Sequence, residues 1–322
     1  MRCLCCNKEI TNPSEYEGNV SWHVKCMKRF FGTSNLPEID VSKRALERLA
    51  KQTVNKGLTV PGVQKKLSLH LDMVDKTARL TIVDYPTGYI LKPQSEEYAC
   101  LPEAEFLSMK MAEIAGIKTV PNALLRFRGN YAYVTKRIDR SGDQMYAMED
   151  FCQLSGRITA DKYRSSYENC GKVIKKYSQN VGLDVTEFYY RLLFCFCIGN
   201  SDMHLKNFSL MEDRPGSRRF SLSAAYDMLP VNVIMPADKE QMALTLNGKK
   251  QNLKRKDFLI LAESLGIQEK VATGLIKQIV KYEEAFLREV DISYIPKEMK
   301  DHLSFLIQKR MEIFNVDTKK SS

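Results

Sequence analysis

The stretch LSLHLD alternates. Leu67, Leu69 and Leu71 are apolar, and Ser68, His70 and Asp72 between them are polar. A repeat of two puts the leucines on one face of an extended chain and predicts a β-strand. ARLTIVD predicts a second strand and TGYILKP a third. The period then changes. In LPEAEFLSMKMAEIAGI, the residues Ala104, Leu107, Met111 and Ile114 recur with a helical period, acidic residues occupy the first turn and Gly116 stands near the end. That combination predicts a helix. NALLRFRGNYAYVTKRID reads as a hairpin around Gly129-Asn130. Ahead of the strands, residues 40 to 56 read as a helix followed by a connection.

Beyond Asp150 the pattern is mostly helical. Residues 161 to 180 and 184 to 198 read as helices, and residues 255 to 314 as several more. NFSLM and RFSLSAAYD read as a strand pair joined by a loop with Pro215-Gly216, QMALTLNGKK as another short strand, and DTKKSS as a frayed tail. No internal repeat stands out. The expected division is a small Cys/His segment over 1–36, a β-rich region over 37–150 and a mostly helical region over 151–322, an α+β chain.

A length of 322 residues is enough for one large domain or two lobes. Apolar content of 44% and charged content of 27% are ordinary for a globular chain. No apolar run is long enough to span a bilayer, and MRCLCCNKEI lacks the apolar stretch of a secretory signal, so a cytoplasmic location is expected. The formal charge is 49 − 39 = +10. It favours polyanionic partners such as nucleotides, nucleic acid or an acidic protein, but the basic residues are spread and fit a solvated surface equally well.

The nine cysteines are an odd count, and a disulfide framework is not expected. Cys152, Cys195 and Cys197 lie in apolar surroundings and read as small buried thiols. The start is different. Cys3 and Cys6 form C-x2-C, and His23 and Cys26 form H-x2-C. Two close ligand pairs separated by a short loop suit tetrahedral Zn²⁺, and a segment this small needs such a staple. Cys5 is the spare thiol, and a reduced, metal-free cluster is the alternative. A closed site with four protein ligands is structural and implies no chemistry.

The uncharged run FCFCIG leads into NSDMHLKNFSL. Asp202 and Asn207 form D-x4-N in a loop between a buried helix and a strand. Phosphoryl transfer needs a carboxylate to accept the proton of the attacking hydroxyl and a neutral amide oxygen to hold Mg²⁺ beside it. Protein kinases use this spacing in their catalytic loop. Asp227, in AAYDM, is expected at a strand end as a second Mg²⁺ ligand, since Mg²⁺ prefers oxygen and takes few ligands from protein. Lys92 closes the apolar strand GYILKP, where a lysine usually has a partner. An ATP phosphate fits, with Glu105 on the next helix as the holding carboxylate and Glu103 competing for that role. TVPGVQKKLS, containing Val63 and Gln64, is a turn whose backbone N–H groups suit phosphate, although it is not a G-x-G-x-x-G loop. Each piece has a plainer reading: a turn or cap residue for Asp202 and Asp227, a lysine reaching water, a glutamate at a helix N-terminus. Their joint order, loop, Lys, helix Glu, Asp-x4-Asn, Asp, is that of a kinase.

At these residues the sequence resembles the HipA-like serine/threonine kinases of bacterial toxin–antitoxin systems. The matching motifs are PGVQKKLS, YILKP, KRIDR, EDFCQLSG, IGNSDMHLKNFS and YDMLP, in family order across residues 57 to 232. The resemblance implies a two-lobed protein-kinase-like fold related to phosphatidylinositol kinases, with a β-rich N-lobe and a mostly helical C-lobe. It implies Asp202 as catalytic base, Asn207 and Asp227 on Mg²⁺, Lys92 on ATP, and the backbone from Thr135 through Lys136 to Ile138 at the purine edge. His204 and Lys206 would line the catalytic loop, as catalytic groups or as braces. Family members autophosphorylate a serine just upstream of the loop glycine. Thr59 stands in that place, three residues before Gly62, and its β-branch with Pro61 stiffens the loop.

Full-length relatives of this kind carry a further N-terminal subdomain, for which this chain has room only for the Cys/His segment and a helix. It resembles the short members, whose missing subdomain can be a separate small protein. The implied partners are a protein substrate, a cognate antitoxin that brings DNA only indirectly, and such a small protein, with no membrane. The expected function is an ATP- and Mg²⁺-dependent protein kinase acting as a growth-inhibiting toxin, with aminoacyl-tRNA synthetases as the substrates the family suggests. The competing readings are a catalytically silent ATP-binding subunit of a DNA-bound repressor complex and a kinase for a small molecule or lipid.

Overall fold

The alternating run from Leu67 is a strand, and the first of two units is built around it. The computed structural model describes residues 1–40, 66–74, 77–81, 88–142 and 144–315. The units are residues 1–106 with 120–138, and residues 107–119 with 139–322. The helix expected over 40 to 56 and the turn carrying Thr59, Val63 and Gln64 lie outside the described residues, apart from residue 40.

The first unit contains helices α1 (Glu15–Val20) and α2 (Val24–Phe31). Strands β1 (Glu38–Asp40), β2 (Leu67–Val74), β3 (Thr77–Thr81) and β4 (Tyr89–Pro93) follow. After them come the start of α3 (Leu101–Ile114), β5 (Asn122–Phe127) and β6 (Asn130–Lys136). The strands form one six-stranded sheet in the order β1-β3-β2-β4-β6-β5, antiparallel except for β1 beside β3. Leu67 pairs with Leu91, Leu91 with Val134 and Val134 with Ala123, so four strands present one apolar row to one face. All four side chains are buried. On the opposite face the adjacent row is Lys92, Tyr133 and Leu124, also buried. The β5–β6 turn is Arg128-Gly129, one residue earlier than expected, with φ of 52° and 81°. Two consecutive left-handed residues are what a tight two-residue hairpin demands.

The Cys/His segment packs on this sheet. β5 is an edge strand, and the Leu124 N–H that faces outward donates to the Leu4 carbonyl at 2.8 Å, so the segment covers the edge. Trp22, Phe30 and Phe31 cluster with Tyr89 of β4, whose hydroxyl donates to the Phe30 carbonyl at 3.0 Å.

The second unit takes the rest of α3. Its strands β7 (Arg140–Ser141) and β8 (Gln144–Met145) pair with each other, and β9 (Met148–Asp150) leads into α4 (Phe151–Leu154). Then come α5 (Tyr167–Tyr177), α6 (Val181–Ile198), β10 (Ser209–Glu212), β11 (Phe220–Leu222) and α7 (Val231–Ile234). Four helices follow: α8 (Arg255–Ser264), α9 (Glu269–Val280), α10 (Glu283–Asp291) and α11 (Lys297–Asn315). β9, β10 and β11 form a small antiparallel sheet. Every residue of α6 from Phe188 to Ile198 is buried; the one charged group among them, Arg191, pairs with Glu187 at 2.8 Å. Phe196 meets Phe258 of α8 and Phe314 of α11. Three expectations are corrected. The helix expected from residue 161 begins at Tyr167, because Ser166 accepts from the Asn169 N–H and caps it there. The helix expected from residue 184 begins at Val181. QMALTLNGKK forms only isolated bridges at Thr245 and between Leu246 and Lys249, since among the described residues no strand runs alongside it. No described helix is long and apolar enough to cross a membrane.

Candidate active site

In the first unit, β4 carries Lys92 and α3 carries Glu105. Their side chains meet at 2.6 Å, with Lys92 4% and Glu105 2% exposed. Lys92 therefore does not reach water. Charges this deep persist because each neutralises the other. The Lys92 ammonium also lies 5.3 Å from the centre of the Tyr133 ring, its neighbour in register. Glu103, the competing carboxylate, is half-buried, and burial pushes its carboxyl above the usual range. At the expected purine edge, the Lys136 N–H donates to the Pro121 carbonyl at 3.0 Å and the Arg137 N–H to the Gly88 carbonyl at 2.8 Å. The Lys136 N–H is thus engaged within the unit, and its carbonyl accepts at the long distance of 3.5 Å from the Thr135 hydroxyl. Ile138 closes the unit.

In the second unit the loop after α6 is held at both ends. Gly199 ends the helix with φ +71°, and the Asn200 N–H returns to the Cys195 carbonyl at 2.8 Å. A Cβ at Gly199 would lie 2.9 Å from the Leu306 side chain, so glycine is required on two counts. The Ser201 hydroxyl donates to Asp238 Oδ2 at 2.6 Å. Asn232 donates its amide to the Glu240 carbonyl at 2.9 Å, its N–H to the Gly199 carbonyl at 3.0 Å, and accepts from Arg310 at 3.3 Å.

Asp202 is half-buried. The Tyr163 hydroxyl donates to its Oδ1 at 2.5 Å, and Asn207 donates its side-chain N–H to the Asp202 carbonyl at 2.8 Å. With that nitrogen engaged, the Asn207 amide oxygen is the atom a hard cation would take. His204 is buried, and its ring meets Tyr163 edge-on at 4.9 Å. Lys206 pairs with Asp150 at 2.7 Å, while Asp150 also caps α4. The Tyr226 hydroxyl bonds Ser209 Oγ at 2.6 Å and donates to the Lys206 carbonyl at 3.1 Å. This ties the backbone beside Asp227 to the loop. Asp227 itself is not at a strand end: β11 stops at Leu222, and Asp227 lies in irregular backbone with φ +59°. The neighbouring Ala225 is fixed by its N–H to the Lys118 carbonyl at 2.7 Å.

Tyr163, Tyr226, Asp150 and Asn232 had no role in the sequence reading. Asp150 and Tyr226 stand next to or inside motifs quoted above, which was the available signal. Tyr163 and Asn232 carry none.

Near the N-terminus the ligand atoms of Cys3, Cys6, His23 and Cys26 all lie within 4.8 Å of one another. The His23 Nδ1 is 3.5 Å from Cys6 Sγ and 3.8 Å from Cys26 Sγ. Tetrahedral zinc bonded at about 2.3 Å to sulfur and about 2.05 Å to nitrogen sets that separation near ~3.6 Å. The His23 N–H points at Cys3 Sγ at 3.4 Å, the kind of support a thiolate uses. The donor set fits zinc. Cys5 is buried and is not one of the four.

The HipA-like C-terminal domain family model matches residues 58–286. A putative kinase of Haemophilus influenzae is 26% identical over 311 residues, 87% of this chain and 88% of that protein. Putative kinase Y4dM of Sinorhizobium fredii is 31% identical over 240 residues, 69% of this chain but only 57% of that protein. Among solved structures, HipA of Shewanella oneidensis, in complex with HipB and operator DNA, aligns with a TM-score of 0.67 at 19% identity. The match covers 79% of this chain and 64% of that one. The Helicobacter pylori proinflammatory kinase CtkA aligns with a TM-score of 0.55 at 16% identity, covering 75% and 90%. At these identities the two structures establish a shared fold, a β-sheet unit and a helical unit. With the family model spanning most of its length, the chain belongs to the HipA-like family.

Proposed function

We propose that this chain is an ATP- and Mg²⁺-dependent protein serine/threonine kinase and the toxin of a toxin–antitoxin pair. The observation that carries the proposal is the Asp202–Asn207 loop, where the Asn207 side-chain N–H is spent on the Asp202 backbone carbonyl, which leaves its amide oxygen as the atom suited to a cation five residues from the carboxylate of Asp202. Lys92 with Glu105 would hold ATP phosphate, and Asn207 and Asp227 would hold Mg²⁺, which when bound offsets phosphate charge. An acceptor hydroxyl loses its proton to Asp202 as its oxygen bonds to the γ-phosphorus. The bond from that phosphorus to the bridging oxygen breaks, and ADP leaves. Lys206 is paired with Asp150 and His204 is buried, which supports bracing roles for both. The Shewanella complex suggests an antitoxin partner here, with DNA reached through it. The Cys/His cluster would hold one structural Zn²⁺.

Transfer of label from γ-labelled ATP to protein tests the main reading. Asp202→Asn is expected to lower it about 10³-fold, within the usual worth of a general base. Equal silence of wild type and variant, with DNA association intact, would favour the silent repressor subunit instead. Metal analysis tests the cluster: about one zinc per chain is expected in wild type and well under half in Cys26→Ser.

A further inference from the structure

We propose that Tyr163 is a positioning residue for Asp202, holding one carboxylate oxygen so that the other faces the acceptor hydroxyl. The proposal rests on the kinase reading above and names a group that neither the motifs nor the spacing assigned.

An aspartate carboxylate rotates about its last torsion with little preference, and its oxygens exchange places readily. A base that must meet an incoming hydroxyl gains from having that rotation fixed, as the partner of a catalytic imidazole fixes its ring. Tyr163 does this from outside the loop. Its hydroxyl donates to Asp202 Oδ1 at 2.5 Å. Its ring stands edge-on to His204 at 4.9 Å. The carbonyl of Lys162 accepts the Leu205 N–H at 3.2 Å, so the backbone beside Tyr163 is stitched to the loop as well. Although the Tyr163 side chain is 42% exposed, partial burial, and then the Asp202 charge, raise its hydroxyl above the usual range, and it stays a donor at neutral pH. The arrangement is a fixed part of the loop on three separate contacts.

A tyrosine hydroxyl on a catalytic base has another interpretation, a plug in the acceptor's place. The two predict opposite results. Tyr163→Phe keeps the ring and its contact with His204 and removes only the donor. It is expected to lower kcat for phosphoryl transfer about tenfold, the ordinary worth of a hydrogen bond to a charged group, with KM for ATP within about twofold of wild type. In an Asp202→Asn background, which retains residual turnover, the same change is expected to cost under about twofold, because Tyr163 acts through the carboxylate. Thermal unfolding of each variant checks that the fold persists, and Tyr163→His, which can still donate, is expected to regain part of the loss. A rise in kcat for Tyr163→Phe identifies a plug and overturns the proposal. So does an unchanged kcat, or an equal loss in both backgrounds, which marks a structural role. Wild type as silent as Asp202→Asn removes the kinase reading and this proposal with it, whereas an active wild type with an indifferent Tyr163→Phe removes this proposal alone.

Discussion

Two regions that carry charge for the proposed chemistry are held by opposite means. Lys92 and Glu105 are sealed in the first unit, each nearly inaccessible, and their 2.6 Å contact neutralises both. Asp202 and Asp227 in the second unit are half-buried, and what holds them is mostly neutral: a tyrosine hydroxyl, an asparagine amide, backbone N–H groups. The first arrangement stakes much on one interaction. Removing either partner strands a charge in a place that cannot solvate it. The second distributes its support over several bonds of modest worth, most of them to the backbone that carries the carboxylates.

The contrast is sharpest in Glu105→Gln. It leaves the Lys92 ammonium buried opposite a neutral amide, and we expect a loss of about 3–5 kcal/mol, the usual consequence of breaking a buried pair. Urea unfolding followed by the Tyr89–Trp22 region of the first unit measures it. The double replacement Lys92→Met with Glu105→Leu removes both charges and is expected to recover most of that stability, yet to abolish ATP binding in a nucleotide titration. If the single variant is as stable as wild type, the pair is not the sealed charge couple described here.

Asn232→Ala comes next. Asn232 is buried and bonds the Glu240 carbonyl, the Asp238 carbonyl and Arg310 while its N–H meets Gly199 at the loop entry. Truncation leaves two carbonyls without this donor, and about 2 kcal/mol of destabilisation is expected. Hydrogen exchange at residues 200–207 should rise more than exchange in α6. A uniform rise across the unit would mean that the support is not local to the loop.

How much of this the sequence disclosed depended on how local the signal was. Strands β2 and β4 and helix α3 were legible because period alone separates them. The Cys/His cluster was legible because each ligand pair sits within one turn, so spacing is geometry. The start of α5 was misplaced because a single 3-10 turn at Thr159–Asp161 imitates a helix start ahead of the real cap at Ser166. The turn between β5 and β6 was shifted because Arg128 takes a left-handed conformation that residue preferences assign to Gly or Asn. QMALTLNGKK has strand-like alternation, but a strand exists only when another lies beside it. The D-x4-N spacing and the strand lysine were visible, while their supports were not. Tyr163 reaches Asp202 across 39 residues, and nothing in KYRSSY distinguishes a tyrosine that meets a carboxylate from one that meets solvent.

The smallest expected effect probes the same distinction most finely. Tyr226→Phe deletes one hydroxyl, which bonds Ser209 Oγ and the Lys206 carbonyl. A neutral hydrogen bond of this kind is worth about 1 kcal/mol in stability, and the ring remains to fill its place. Its consequence for function should be out of proportion to that figure if Asp227 holds Mg²⁺. Tyr226 precedes Asp227 directly, and its hydroxyl is what fixes this backbone against the loop that carries Asn207. We therefore expect the Mg²⁺ concentration for half-maximal phosphoryl transfer to rise about three- to tenfold, with KM for ATP at saturating Mg²⁺ changed by under about twofold. A stability loss with no change in the Mg²⁺ requirement would separate Asp227 from the metal.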